Sequence, residues 1–278
     1  VSVHQPSQAT SRISVPKLMA YKGKQKIVAL TAYSAPFARL MDGVVDMILV
    51  GDSTAMVGYN QPDTLSITVE QMAAHAAAVV RTAHQPCVMV DMPFGSFQES
   101  PQQAFSQAAG LLAASGAQGV KLEGGVALAD TTRFLVDRGI PVLAHVGLMP
   151  QYVNTMGGFK AQGMSAAAAD RILQDAIAHE QAGAWGIVLE GIAEPLAQKI
   201  TQTVAIPTIG IGASPECDGQ VLVTEDILGL SGMRLPRFAK TFADAAEVIS
   251  AGIQGYADDV RAGDFPSLSH CFGVKKPK

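Results

Sequence analysis

The sequence predicts a closed (β/α)8 barrel in a single domain. Three observations predict it: eight short β-branched runs, longer Ala-rich helical stretches following them, and a length of 278 residues, enough for eight strand–helix units. An open doubly wound sheet usually stops at five or six strands, so eight runs favour closure. The runs are KIVALT (26–31), DMILVG (46–51), CVMVD (87–91), QGVKLE (118–123), IPVLAH (140–145), WGIVLE (185–190), IPTIGIG (206–212) and QVLVTED (220–226). Their nearly unbroken apolar character fits strands covered on both faces, as parallel strands with crossover helices are.

Helix signals fall between these runs. Thr68 with Gln71 and Ser100 with Gln103 have capping-box spacing, and Pro101 stands where a first helical residue belongs. Gly139 and Gly183 each follow a helical stretch, where a left-handed cap residue is expected. The expected organisation is an N-terminal extension over 1–16, the barrel over 17–264, and a polar, basic, loosely attached tail over 265–278. No internal repeat or interdomain linker interrupts it.

Composition excludes several classes of function. Lys plus Arg total 20 against 24 Asp plus Glu, a net charge of −4 with no long basic run, so neither nucleic acid nor an anionic membrane surface is an expected partner. Three cysteines, Cys87, Cys217 and Cys271, show no CxxC spacing, which argues against a disulfide framework or a thiolate metal site. The chain shows neither a secretory signal nor a membrane span, and a soluble, cytoplasmic protein is expected. A mean hydropathy of +0.23 with 16% charged residues is high for a monomer and points to a homo-oligomer.

In a parallel barrel the loops after the strands meet on one face, so polar residues at strand ends converge there. Those ends supply Asp52 and Ser53 after the second run, Asp91 after the third, Lys121 and Glu123 on the fourth, His145 on the fifth and Glu190 on the sixth. Four carboxylates in one mouth repel one another, and a hard divalent cation such as Mg²⁺ relieves that without Cys or His ligands. Asp52 and Asp91 are the first choices as ligands and Glu123 the third. Bland readings stand beside this one. An Asp after a strand often caps the next turn, Lys121 and Glu123 could be a buried structural ion pair, and a lone His on an apolar strand is commonly a hydrogen-bonded core residue.

The stretches GDS (51–53), VDMPFGSF (90–97), VKLEGG (120–125), AHVGLMPQ (144–151), GGFKAQG (157–163) and VLEGI (188–192) together resemble the ketopantoate hydroxymethyltransferase family. The resemblance runs from about Lys17 to Asp264. It implies a barrel of the phosphoenolpyruvate/isocitrate lyase-like type and transfer of a one-carbon unit from 5,10-methylenetetrahydrofolate to 3-methyl-2-oxobutanoate, giving 2-dehydropantoate for pantothenate synthesis. It further implies Asp52 and Asp91 as Mg²⁺ ligands with Glu123 beside them. Ser53, Asp91 and Lys121 are implied to contact the 2-oxo acid, Glu190 to be the general base, and the assembly to be a decamer. Asp52 is expected among the residues that bind the oxo acid as well as the metal, and His145 is expected to hydrogen-bond either the oxo acid or the metal's waters.

Physical reasoning suits this chemistry, since removing a proton beside a ketone leaves an enolate whose charge must be held. Glu190 ends an almost uncharged run, AWGIVLEG, where desolvation should raise its pKa toward neutrality. The GGFKAQG loop is expected to cover the mouth or to be a plain surface loop. GIGASP (210–215) lacks a GK[ST] partner for phosphate, and Cys217 within the same loop lacks a positioned base. Two other functions compete: a Mg²⁺-dependent 2-oxo acid lyase or phosphotransfer enzyme on the same barrel, and a barrel that only binds an oxo acid.

Overall fold

The computed structural model describes residues 11–232 and 235–273. Most of the expected N-terminal extension, residues 1–10, and the end of the tail, 274–278, lie outside the described residues. The chain divides into two compact units, 1–224 and 225–278.

The first unit is a closed barrel of eight parallel strands in sequential order. After a short α1 (Val15–Met19) come β1 (Ile27–Thr31), α2 (Ala35–Met41), β2 (Met47–Val50), α3 (Thr54–Val57), α4 (Val69–Thr82), β3 (Cys87–Asp91), α5 (Pro101–Ser115), β4 (Gly119–Glu123), α6 (Ala129–Val136) and β5 (Val142–Gly147). Then follow α7 (Val153–Met156), α8 (Ala166–Gln181), β6 (Gly186–Glu190), α9 (Glu194–Thr203), β7 (Thr208–Ile211) and β8 (Gly219–Leu222), and α10 (Thr224–Ile227) starts at this unit's last residue. Each strand lies within its expected run or departs from it by one or two residues, except the last. There β8 ends at Leu222, and Thr224, Glu225 and Asp226 open α10.

Side chains alternate across each strand, so one parity faces the lumen and the other the helices. The helix-facing residues Ile48, Val50, Val88, Val90, Val120 and Val142 belong to one outer cluster. Ala144, Val146, Ile187 and Leu189 belong to a second. The lumen is floored by Ile27, Ala29, Met47, Leu49, Cys87, Met89, Leu143, Val188 and Ile209. Val15 and Leu18 pack into that floor, and the Arg12 guanidinium donates to the carbonyls of Pro86 and Val80. Part of the expected N-terminal extension is therefore built into the barrel's amino-terminal end. At Gly119 a Cβ would stand 2.6 Å from the Pro141 carbonyl, which leaves room for no side chain where β4 enters the lumen.

The helix caps repeat the sequence signals with one difference. Thr68 and Gln71 form the full reciprocal box at the start of α4. Ser100 accepts from the Gln103 N–H, but the Gln103 side chain turns to Glu99 N–H and the Gly95 carbonyl instead of closing the box. The preceding loop offers Gln103 both a donor and an acceptor, and these outcompete the single Ser100 N–H. Gly139 and Gly183 take φ of +84° and +93°, the left-handed geometry expected after α6 and α8.

The second unit carries α11 (Ala245–Ala262). Asp244 caps it by accepting from Glu247 N–H, and Gly263 at φ +79° ends it. Tyr256 and Phe265 meet edge to face with centroids 5.7 Å apart, and the 3₁₀ turn Leu268–His270 follows.

A Thr68→Ala variant is expected to lose about 1 kcal/mol of stability with turnover unchanged, since the box bonds Thr68 and Gln71 to each other and to none of the ionisable groups described next. Urea denaturation with a parallel activity assay measures both.

Candidate active site

The lumen parity that is apolar at the floor becomes ionisable at the carboxyl end. Met89 is followed two residues on by Asp91, Leu143 by His145 and Val188 by Glu190, while Lys121 and Glu123 occupy the inward positions of β4. Register then sets neighbours side by side: Asp91 pairs with Lys121, Glu123 with His145, and Gly147 with Glu190. Asp52 enters from the turn after β2. A Cβ at Gly51 before it would lie 2.9 Å from Ser53 Oγ, so a side chain there would displace that hydroxyl.

Asp52, Asp91, Lys121, Glu123 and His145 are all buried, and Glu190 is 15% exposed. The Lys121 ammonium is central to them, 3.2 Å from Asp91 Oδ2, 3.3 Å from Glu123 Oε1 and 3.2 Å from His145 Nδ1. An ammonium only donates, so when the imidazole is neutral His145 Nδ1 is the acceptor and the ring proton sits on Nε2. That Nε2 lies 3.3 Å from Glu190 Oε2, off the line of a formed hydrogen bond. The bland readings of single residues are also answered. Neither aspartate caps a helix: the Asp52 side chain accepts from Gln151, and Asp91 Oδ2 accepts from Asp52 N–H at 3.0 Å. The Lys121–Glu123 pair is formed, within a larger cluster.

Sequence reasoning missed three neutral residues here. Gln151, buried on the turn after β5, donates to Asp52 Oδ2 and to the Met92 carbonyl, each at 2.9 Å. Its backbone N–H donates to Glu123 Oε2 at 2.9 Å. Gln98 donates to Gln151 Oε1 at 3.1 Å. Tyr33 OH lies 2.7 Å from Ser53 Oγ, which ties the end of β1 to the expected substrate contact. Gln151 and Gln98 stand in or beside the stretches singled out above, but nothing in an amide side chain's identity says which loop folds over which strand.

Burial and crowding separate the four carboxyls. Burial, then Glu123 and Asp91, push Asp52 well above the usual aspartate range. Burial raises Asp91 as well, with Lys121 opposing. Burial also works to raise Glu123, but Lys121 and His145 outweigh it and bring it down to about 2. Glu190, desolvated and only partly relieved by His145, is pushed up to about 7. Burial disfavours the charged Lys121, yet Asp91, Glu123 and Asp52 together hold it protonated.

The donor set fits a hard divalent cation through two carboxylates. Asp91 Oδ1 is buried without a hydrogen-bond partner, Asp52 uses only Oδ2, and both carboxyls sit in excess negative charge. Glu123 differs, because Oε1 faces Lys121 and His145 and Oε2 accepts from Gln151. Among the described residues no three His, Cys, Asp or Glu side chains are disposed to hold a metal ion. Two carboxylates with water and substrate oxygens is an ordinary arrangement for Mg²⁺.

The other expected loops are accounted for. Gln162, at the end of the GGFKAQG loop, is pinned beside the exit of β6 by a parallel bridge to Ile192 and by its N–H to the Gly191 carbonyl at 2.7 Å. Phe159 in that loop is 51% exposed. In the GIGASP loop Ser214 Oγ donates to Glu194, a carboxylate that would repel a phosphate. Cys217 there is fully buried. A cleft of about 140 Å³ lined by Gly124, Gly125, Val146, Gln162, Arg171 and Asp175 contains none of the ionisable set.

A closed parallel barrel with a lysine, a histidine and four carboxyls at its carboxyl end is an enzyme. The chain belongs to the ketopantoate hydroxymethyltransferase family, whose pattern it matches over residues 12–268, and its enzyme class is therefore that of a hydroxymethyl transferase. It is 58% identical over 268 residues to 3-methyl-2-oxobutanoate hydroxymethyltransferase 1 of Burkholderia lata, covering 96% of this chain and 94% of the relative. It is 53% identical over 276 residues to 3-methyl-2-oxobutanoate hydroxymethyltransferase 1 of Pseudomonas aeruginosa, covering 99% and 100%. Among solved structures, it is similar to a phosphonopyruvate hydrolase complexed with oxalate and Mg²⁺, with TM-score 0.60, 12% identity and 92% of each chain covered. A 2,3-dimethylmalate lyase of the phosphoenolpyruvate mutase/isocitrate lyase superfamily gives 0.57, 17% identity, and 93% and 88% coverage. At these identities the structures share the expected fold type.

Glu190 also sets a stability test. Its folded carboxyl titrates near 7, above the unfolded value, so the folded state holds that proton more tightly and loses stability as pH rises from about 4.5 to 7. Glu190→Gln removes that loss. The metal-free variant is expected to exceed the metal-free parent by on the order of 3 kcal/mol at pH 8, with the gap closing toward pH 4.5, as read by chemical denaturation across pH.

Proposed function

We propose that this enzyme transfers the one-carbon unit of 5,10-methylenetetrahydrofolate to 3-methyl-2-oxobutanoate, yielding 2-dehydropantoate for pantothenate synthesis, by way of an enolate of the oxo acid. One observation supports this reading above the others: Glu190 is a carboxyl with a pKa near 7, at the rim of a buried cluster that holds a lysine and two carboxylates with unused oxygens. A base poised near neutrality beside groups that bind a 2-oxo acid is what proton removal at C3 requires.

Asp52 and Asp91 would hold Mg²⁺, with Glu123 behind them; the bound ion supplies Lewis-acid polarisation of the substrate's carboxylate and keto oxygens. Lys121 offsets negative charge on the oxo acid, and the Ser53 hydroxyl, oriented by Tyr33, offers it a hydrogen bond. Glu190 takes the C3 proton. His145, with its proton on Nε2, faces the Glu190 carboxylate and stabilises its charged form, which keeps that base from rising further. The resulting carbanion carbon bonds to the folate's methylene carbon, and one water completes the transfer: it supplies the hydroxyl oxygen while both methylene C–N bonds break, giving 2-dehydropantoate and tetrahydrofolate. The family's expected homo-oligomer, a decamer, and a cytoplasmic setting complete the reading.

The lyase alternative uses the same fold, but it needs neither folate nor net C–C bond formation. Incubating 3-methyl-2-oxobutanoate with enzyme and Mg²⁺ in deuterated water should exchange the C3 proton, with product forming only when the folate is added. Glu190→Gln should keep Mg²⁺-dependent oxo acid binding and lose exchange by about 10²-fold or more; retained exchange removes Glu190 from the base role. Cleavage of a 2-oxo acid without folate favours the lyase.

The pH profile is a further check. Because the base must be ionised, kcat/KM for exchange should rise tenfold per pH unit below about 7 and level off above it. A flat profile between pH 5 and 8 contradicts the assignment.

A further inference from the structure

We propose that Gln98 and Gln151 form a one-way relay of hydrogen bonds that starts at a backbone N–H and fixes how Asp52 presents its carboxylate to a divalent cation. This rests on the reading of Asp52 as a metal ligand. Gln98 accepts the Gly95 N–H on Oε1 at 2.7 Å. Gln98 Nε2 donates to Gln151 Oε1 at 3.1 Å, and Gln151 Nε2 donates to Asp52 Oδ2 and the Met92 carbonyl, both at 2.9 Å.

Polarity makes the relay directional. The backbone N–H of Gly95 can only donate, so Gln98 must turn its oxygen to it and its NH₂ toward Gln151. Gln151 must then turn its own oxygen back and its NH₂ forward, where both hydrogens meet acceptors. Reversing the Gln151 amide would set its oxygen against a carboxylate and a carbonyl in a buried site, leaving donors and acceptors unmatched. Asp52 Oδ2 is thereby held as an acceptor, and Oδ1 is the oxygen left for a cation. Gln98 touches none of the ionisable residues and acts through Gln151, so it is a positioning residue.

Substitution at 98 separates the relay from simple charge. In Gln98→Glu the introduced carboxylate cannot donate to Gln151, whose amide then reverses and opposes Asp52. Charge alone predicts the opposite, since one more negative group near the mouth tightens a cation. Binding of Mn²⁺ to the full-length, substrate-free protein, read by the electron paramagnetic resonance of free Mn²⁺, should weaken about tenfold or more in Gln98→Glu. It should weaken less in Gln98→Ala, where the Gln151 oxygen is freed but not opposed. Thermal melts of the metal-free proteins check that both variants are folded. Equal or tighter Mn²⁺ binding in Gln98→Glu overturns the relay. Should that variant fail to fold, unchanged binding in Gln98→Ala overturns it and a twofold or greater loss supports it. A parent protein that takes up no Mn²⁺ overturns the metal reading itself, and this inference with it.

Discussion

The structure of the mouth depends on one ammonium. Lys121 is buried, and a buried charge is tolerated only when partners replace the water it has lost. Its partners are Asp91, Glu123 and His145, all within 3.3 Å of Nζ. One positive charge cannot satisfy four carboxyls, and the shortfall is shared unequally. Glu123, which also draws on His145 and Gln151, is held ionised, whereas Asp52, Asp91 and Glu190 keep excess affinity for positive charge. In the proposed function two of those three would satisfy it with a cation, and the third with a proton drawn from substrate. Unequal partnering around a single lysine thus gives chemically similar groups different proton affinities, on which the proposed binding and base roles rest.

The barrel makes that unequal partnering reproducible. Asp91, Lys121, Glu123, His145 and Glu190 all stand on strands, so the distances among those charges are set by sheet register, and Asp52 joins them from the turn after β2. Backbone hydrogen bonds hold β3, β4, β5 and β6 side by side, and the apolar lumen floor beneath them excludes the water that would otherwise screen the cluster. The turn after β5 closes the arrangement from above, because Gln151 reaches both Asp52 and Glu123, which come from strands that do not pair with each other.

Much of this was legible in the sequence. The runs ending in Asp91, Glu123, His145 and Glu190 showed both the strands and the face they present, because a period of two links an apolar residue to the ionisable one above it. The end of β8 was not legible, since VTED continues a β-branched run while its Thr and acids also suit a helix's first turn. The difference between Glu123 and the two aspartates was equally hidden: it depends on which neighbours each oxygen meets. Gln151, Gln98 and Tyr33 were missed because neutral hydrogen-bonding side chains on loops carry no periodic signal.

The two outer clusters of apolar residues divide between β4 with its flanking helices on one side and β6 with its own on the other, meeting near β5. The acids that would grip a metal, with their lysine, stand on the first shell, while the histidine and the acid that would abstract a proton stand on the second. Neither half of the molecule is a lesser version of the whole: a chain severed near residue 140 would leave the grip in one fragment and the base in the other. On the roles proposed above, turnover belongs to the seam between them and needs both halves docked.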